Sequence, residues 1–270
     1  MSGAEIWLIC VFAGVAGLLV GSFLNVVISR VPDGRSVVTP RSACPGCGAP
    51  IAARDNIPVL SWLILRGRCR NCGEPISVVY PLIELITGVT WFVLAWWTLI
   101  SDQALSSLLP WLLVLASACI ALFVIDMRHH RLPDAIVFPL YPLLVLGLVL
   151  AGLLSGQWEV VGAGVGAVIW LAVLGGLWLV SGGRGMGFGD VKLAPILGAT
   201  LGWLAWEASL VGLVTAFVLG GVVGVILILT GQARRGTRIP FGPYLIIGGA
   251  VGLVFGGQLW QAYLEFVGSA

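Results

Sequence analysis

Long apolar runs broken by short polar punctuation dominate the chain. The run Leu143-Leu144-Val145-Leu146-Gly147-Leu148-Val149-Leu150 never alternates with polar residues. Strands of a membrane barrel would alternate, so the runs predict helices. About eight of them approach the ~20 residues that a bilayer-crossing helix needs: residues 6–29, 80–100, 104–125, 135–154, 159–180, 193–206, 208–230 and 240–267. The sixth is short and contains Pro195, so it is expected to be tilted or partly interfacial. One polar stretch, residues 30–79, interrupts the series. The expected organisation is a first helix over 1–29, a loop module over 30–79 and a seven-helix membrane core over 80–270.

Composition strengthens this picture. The chain has 270 residues, 59% of them hydrophobic and 10% charged, with a mean hydropathy of +1.06. A soluble domain carries about 25% charged residues, so the fold class is an all-α polytopic membrane protein. Glycine is abundant, at 38 residues, and in lipid such small residues let helix backbones approach closely. The first run is too long for the apolar core of a cleavable leader and is expected to be a retained helix.

Charge orients the chain. All 14 Lys and Arg fall in the connections after the first, third, fifth and seventh runs, from Arg30 to Arg70, at Arg128 and Arg131, at Arg184 and Lys192, and at Arg234, Arg235 and Arg238. The opposite connections carry only acids: Glu5, Asp102, Glu159, Glu207 and Glu265. The positive-inside rule then places these four basic loops in the cytoplasm and both termini outside.

The 30–79 module is too small for a substantial core and needs a staple. It holds Cys44-Pro-Gly-Cys47 and, further on, Cys69-Arg-Asn-Cys72. Paired C-x2-C knuckles are the pattern of a four-thiolate zinc site, closed and structural, with Gly46, Gly48 and Gly73 expected at its tight turns. The alternative, two disulfides, suits a reducing cytoplasm poorly. Cys10 and Cys119 lie within apolar runs and are expected to be buried packing residues.

Candidate chemistry lies in the other basic loops. Asp126 comes directly off the third run, and Asp190 follows the glycine-rich stretch Arg184-Gly185-Met186-Gly187-Phe188-Gly189. Orientation puts both carboxylates on the cytoplasmic side at similar depth. Two carboxylates held close share a proton, so one can activate water while the other protonates a carbonyl or leaving amine. The bland alternative pairs Asp126 with Arg128 and Asp190 with Lys192. Asp134, after Pro133, is expected to cap the fourth run; His129 and His130 are expected to be solvated. Glu84, about one turn into the second run, should point into the bundle toward a substrate or cation, since a lipid-facing carboxylate is costly.

Six stretches together carry a resemblance: Gly21-Ser22-Phe23-Leu24-Asn25-Val26-Val27 with Arg30 and Pro32; the cysteine knuckles; Tyr80-Pro81-Leu82-Ile83-Glu84; Asp126 through Leu132-Pro133-Asp134; Gly187-Phe188-Gly189-Asp190-Val191-Lys192; and Ile239-Pro240-Phe241-Gly242-Pro243-Tyr244. In this order they resemble the bacterial type IV prepilin leader peptidases of the bifunctional class, which also N-methylate their product. Val78-Val79 departs from the basic or polar residue the family carries before Tyr80. The resemblance implies an intramembrane aspartyl protease of the G-x-G-D type with Asp126 and Asp190 as its pair, supported by Gly187, Gly189, Lys192 and Glu84. It implies cleavage of a short basic leader from prepilin or pseudopilin precursors, then methylation of the new N-terminus by S-adenosylmethionine. It also implies the bacterial inner membrane as the protein's place.

The glycines are expected to leave room for extended substrate backbone beside Asp190. No glycine-rich nucleotide fingerprint marks a site for the methyl donor, and Glu84 is its one candidate neighbour. A peptidase without methyl transfer, or a non-enzymatic transporter or scaffold using the aspartates as an ion relay, are the competing readings. The expected environment is the lipid bilayer, without a nucleic-acid partner; the oligomeric state is not legible.

Overall fold

Ser2 starts the first helix with a capping box: its hydroxyl accepts from the Glu5 amide, and the Glu5 carboxylate accepts from the Ser2 amide at 2.7 Å. Every apolar run that follows is likewise helical in the computed structural model of the protein, which describes residues 2–184, 186–231 and 240–268. Gly185, the basic residues Arg234, Arg235 and Arg238, and Ile239 lie outside the described residues. Ten α-helices are described: α1 Gly3–Arg30, α2 Leu60–Ile64, α3 Val79–Ile100, α4 Gln103–Ser107, α5 Leu109–His129, α6 Asp134–Ser155, α7 Val160–Val180, α8 Phe188–Leu204, α9 Trp206–Leu229 and α10 Gly242–Gly268. No strand occurs among the described residues.

Seven of these helices are long and apolar enough to cross a membrane. The count of eight runs is therefore approximate, and α8 is the exception. At about 25 Å, from a 1.5 Å rise per residue, its 17 residues fall short of the ~30 Å hydrocarbon thickness. It also begins at Phe188, five residues before the predicted run, so Asp190 lies inside its first turn and not in a loop. The predicted third run divides into α4 and α5, and α5 continues past Ile125 to His129. Asp126 thus sits within a helical turn.

The chain forms two compact units, residues 1–121 and 122–270. In the first, α1 packs along α3 with backbones nearly touching. A Cβ on Gly21 would lie 2.7 Å from the Glu84 Cα, and one on Gly17 would lie 2.9 Å from the Thr87 carbonyl oxygen. The Asn25 amide on α1 donates to the Tyr80 carbonyl at the start of α3 (3.1 Å). In the second unit α8 is the core. Twelve of its residues, from Asp190 to Trp203, are buried. It packs along α7 and also meets α6, α9 and α10. Gly166 of α7 lies directly against the Gly198 carbonyl of α8, and the Trp170 indole donates to the Ser209 carbonyl at 3.0 Å. A helix covered on all sides by other helices does not need membrane-spanning length.

Candidate active site and metal centre

Three helix ends and one loop residue gather in the second unit. Asp126 occupies the last turn of α5, where α10 begins beside it. The Gly242 amide at the start of α10 donates to Asp126 Oδ2 at 3.1 Å, using a first-turn donor that has no partner within its own helix. Asp190 lies three residues after Gly187, the N-cap of α8. Its backbone amide bonds the Gly187 carbonyl at 3.1 Å. Its carboxylate turns back toward Gly187, where a Cβ would lie 3.3 Å from Oδ2, and is close enough to Asp126 for their charges to interact. A carboxylate in this position also suits the positive end of the helix dipole. Both aspartates are buried, at 4% and 6% exposure. Neither takes part in an ion pair among the described residues.

Leu132 is the wedge that closes the arrangement. A Cβ on Gly189 would lie 2.9 Å from the Leu132 Cβ, and a Cβ on Gly242 would lie 3.3 Å from the Leu132 Cδ2. The space beside Gly189 therefore belongs to Leu132 and is not open to a substrate backbone, which corrects the expectation drawn from the glycine run. Only with glycine at positions 189 and 242 can the two helix starts approach this loop.

Lys192 does not pair with Asp190, two positions away on the same helix, where side chains point to different faces. It forms an ion pair with Asp134 and lies 5.4 Å and 5.2 Å from the ring centres of Phe138 and Phe188. Its carbonyl accepts the Tyr141 hydroxyl at 2.7 Å, which fixes the start of α8 against α6. Asp134 is in the first turn of α6 but is not its cap: Pro133 holds that position without a side-chain bond. The suggested pairing of Asp126 with Arg128 is also absent, since the Asp126 bond goes to Gly242. His129 and His130 are exposed, as expected.

The cysteines converge in the first unit. All four Sγ atoms of Cys44, Cys47, Cys69 and Cys72 lie within 4.8 Å of one another. The Cys44 and Cys72 sulfurs are 3.7 Å apart, close to the ~3.8 Å edge of a tetrahedron built on ~2.3 Å zinc–sulfur bonds. That spacing excludes an S–S bond of ~2.05 Å between them, and all six cysteines are free thiols. The two knuckles share one design. The amides of Cys44 and Cys69 bond the carbonyls of Ala49 and Glu74, and the amides of Gly48 and Gly73 return to Cys44 and Cys69. Gly48 and Gly73 take positive φ, of 70° and 74°, as glycine readily does; Gly46 is not among the positive-φ glycines.

Electrostatics also suits a cation there. The amides of Cys72 and Asn71 draw the Cys69 thiol down to about 7. The Glu74 amide favours the Cys72 thiolate, yet desolvation and the neighbouring thiols outweigh it and hold Cys72 up at about 12. A bound cation removes that conflict. Arg70, next to Cys69, forms a fork on Asp55, with contacts from 2.6 to 3.0 Å. This bond holds the Asp55 carboxyl below its ordinary range.

Glu84 is buried, as the cost of exposing it to lipid requires. Its partner is backbone: Oε2 accepts the Val59 amide at 2.7 Å. Val59 itself stands at φ 61°, a strained conformation for a β-branched residue, in a tight turn closed by the Leu60 amide on the Pro58 carbonyl (2.6 Å).

Sequence reasoning did not assign roles to Gly242, Leu132 or Tyr141. Gly242 and Leu132 fall within stretches that carry the resemblance, but no periodicity reveals that a backbone amide at 242 meets a carboxylate at 126.

Comparison with known proteins covers most of the chain. Residues 15–98 match the bacterial peptidase A24 N-terminal domain, and residues 113–228 match the type IV leader peptidase family. A "Prepilin leader peptidase/N-methyltransferase" of Stutzerimonas stutzeri is 40% identical, over 93% of this chain and 92% of that protein. Proteins of the same description from Aeromonas hydrophila and Pseudomonas aeruginosa are 38% and 37% identical; they align with 96% and 93% of this chain and with 94% and 92% of their own lengths. No solved structure matches.

Proposed function

The chain belongs to the type IV leader peptidase family, and on that premise we propose that it removes the leader from prepilin or pseudopilin precursors and methylates the new N-terminus. Asp126 and Asp190 are the hydrolytic pair. A carboxylate pair sharing one proton holds a water: the ionised member takes its proton as the oxygen attacks the scissile carbonyl, and the protonated member donates to the carbonyl oxygen. A proton then passes to the leaving amine. The Gly242 amide keeps Asp126 oriented, and Leu132 packs between the starts of α8 and α10. Lys192, engaged by Asp134, leaves Asp190 without a cation that would hold it permanently ionised.

A precursor with a basic leader and an apolar helix brings its scissile bond to the headgroup level, and the distribution of Lys and Arg supports a cytoplasmic face for this site. The same distribution supports an inner-membrane protein with both termini outside. Zinc in the Cys44, Cys47, Cys69 and Cys72 cluster would hold the loop module together. S-adenosylmethionine is the methyl donor implied by the methyltransferase descriptions of the relatives. When bound, it would supply an electrophilic methyl group to the neutral amine of the mature N-terminus.

The single observation that carries the proteolytic reading is two buried carboxylates on helix ends joined through Leu132 and Gly242, with Asp126 held by the Gly242 amide. Asp126→Asn and Asp190→Asn, made separately and incubated with a leader-bearing pilin, should each lose cleavage by at least a thousandfold while still inserting in membranes. Cleavage near the wild-type rate in either variant would exclude that residue from the pair.

A further inference from the structure

The sequence offers no recognisable place for a methyl donor, but the first unit contains a cavity of suitable size. A cavity of about 480 Å³ opens between the loop module and the adjoining ends of α1 and α3, within the ~300–1,000 Å³ usual for small-molecule sites. Its walls include Ser22 and Asn25 from α1, Trp62 and Asn71 from the loop module, and Tyr80 and Glu84 from α3. We propose that this cavity binds S-adenosylmethionine and that Glu84 faces the cationic part of the donor. The inference rests on the methyltransferase half of the function above.

Glu84 carries most of the argument. It is only 9% exposed, and its sole hydrogen bond among the described residues is the one from Val59 to Oε2. No buried side-chain oxygen among the described residues is without a partner. Oε1 accepts no hydrogen bond among the described residues, and Glu84 is one of the residues that line the cavity. A carboxylate this deep, with one oxygen unengaged, calls for a cation to offset its desolvation. The cavity's own guanidiniums are occupied: Arg30 donates to the Ser36 carbonyl at 3.0 Å, and Arg70 is forked on Asp55.

The charge and shape of the donor match the remaining walls. S-adenosylmethionine has a sulfonium, an ammonium and a single carboxylate, so it is net cationic. The cavity presents Asp55, Glu74 and Glu84 against Arg30 and Arg70, an excess of carboxylates. Trp62, its indole fixed by a 3.0 Å bond to the Ile76 carbonyl, and Tyr80 supply aromatic surface suited to a purine or to a sulfonium. The strained turn at Val59 belongs to the same wall and is held by Glu84. Strain kept in place by a buried carboxylate is a mark of functional sites.

The test measures binding directly. Full-length, zinc-loaded protein in detergent micelles is equilibrated with tritiated S-adenosylmethionine, alongside Glu84→Gln and Ser29→Trp. Glutamine retains an acceptor for the Val59 amide but removes the charge. Ser29 is an exposed α1 residue of the cavity wall, so tryptophan there fills space without disturbing packing. Both variants should bind the donor at least tenfold more weakly, with zinc content and thermal midpoint unchanged. Wild-type affinity in both would overturn the assignment even if methylation persists. If Glu84→Gln loses zinc or unfolds, Ser29→Trp decides alone. A wild-type protein that yields only unmethylated mature pilin would instead refute the methyltransferase reading itself, a failure distinguishable from a misplaced site.

Discussion

Replacing Gly242 by alanine tests whether a backbone amide sets the position of the first aspartate. The added methyl would lie 2.7 Å from Asp126 Oδ2, 3.3 Å from its Cγ and 3.3 Å from the Leu132 Cδ2, whereas ordinary contact begins at 3.4 Å. The carboxylate must therefore retreat by about 0.7 Å from its nearest contact. Retreat along the present 3.1 Å hydrogen bond carries it beyond the ~3.2 Å upper end of normal N–H···O lengths. Hydrogen bonds to a charged group contribute about 1.5–3 kcal/mol, and overpacking costs about 1–3 kcal/mol. Overpacking is read in the thermal midpoint and the lost hydrogen bond in the rate, so at ~1.4 kcal/mol per tenfold kcat/KM for pilin cleavage should fall on the order of 10- to 100-fold. The readout is the mass of the processed pilin over a time course, with the thermal midpoint taken in the same detergent. Adding Asp126→Asn to Gly242→Ala should cost nothing beyond Asp126→Asn alone, because both act on one group. Cleavage within twofold of wild type in the alanine variant would refute the reasoning, since the methyl would then have been accommodated without moving the carboxylate.

Two further perturbations follow from other contacts. Gly189→Ala places a methyl 2.9 Å from the Leu132 Cβ and should lower cleavage at least tenfold; Leu132→Gly in the same chain should restore part of it, and a double variant no better than the single one would show that Leu132 is not the obstacle. Cys47→Ser removes one corner of the four-sulfur cluster and should release bound zinc and expose the loop module to limited proteolysis; full zinc content in that variant would disprove four-thiolate ligation.

The sequence discloses what is local or periodic, and misses what depends on helix ends meeting. The apolar runs emerged because a bilayer permits little but long helices. The cysteine module emerged because its ligands come as short repeated words. The internal likeness of Cys44-Pro-Gly-Cys47-Gly-Ala-Pro-Ile51 and Cys69-Arg-Asn-Cys72-Gly-Glu-Pro-Ile76 even announces the matched hydrogen bonds of the two knuckles. Asp126 and Asp190 could be singled out because charge at an apolar boundary is costly, but their supports could not. Gly242 acts through its amide, which every residue but proline possesses, so nothing in its identity points to position 126. The glycine at 189 was legible as a demand for space; that Leu132 occupies the space was not. Lys192 looked like a partner for Asp190 by proximity in the chain, yet helical geometry sends it to Asp134.

The positions of the ionisable groups separate hydrolysis from an ion relay. In the second unit, Asp126 lies at the end of α5, Asp134 at the start of α6, and Asp190 and Lys192 at the start of α8. The Gly242 bond to Asp126 and the contacts of Leu132 with Gly189 and Gly242 join these ends into one cluster. A relay across the bilayer needs ionisable or polar groups continuing through the bundle. Between Lys192 and Glu207 the chain carries no Asp, Glu, Lys, Arg or His, and Glu207 lies in the first turn of α9. The buried hydroxyls along that path, Thr200 and Ser209, are bonded to the carbonyls of Ile196 and Gly198. The paired aspartates lie at the helix ends opposite Glu159, Glu207 and Glu265, where they can work on a bond presented at one face of the membrane.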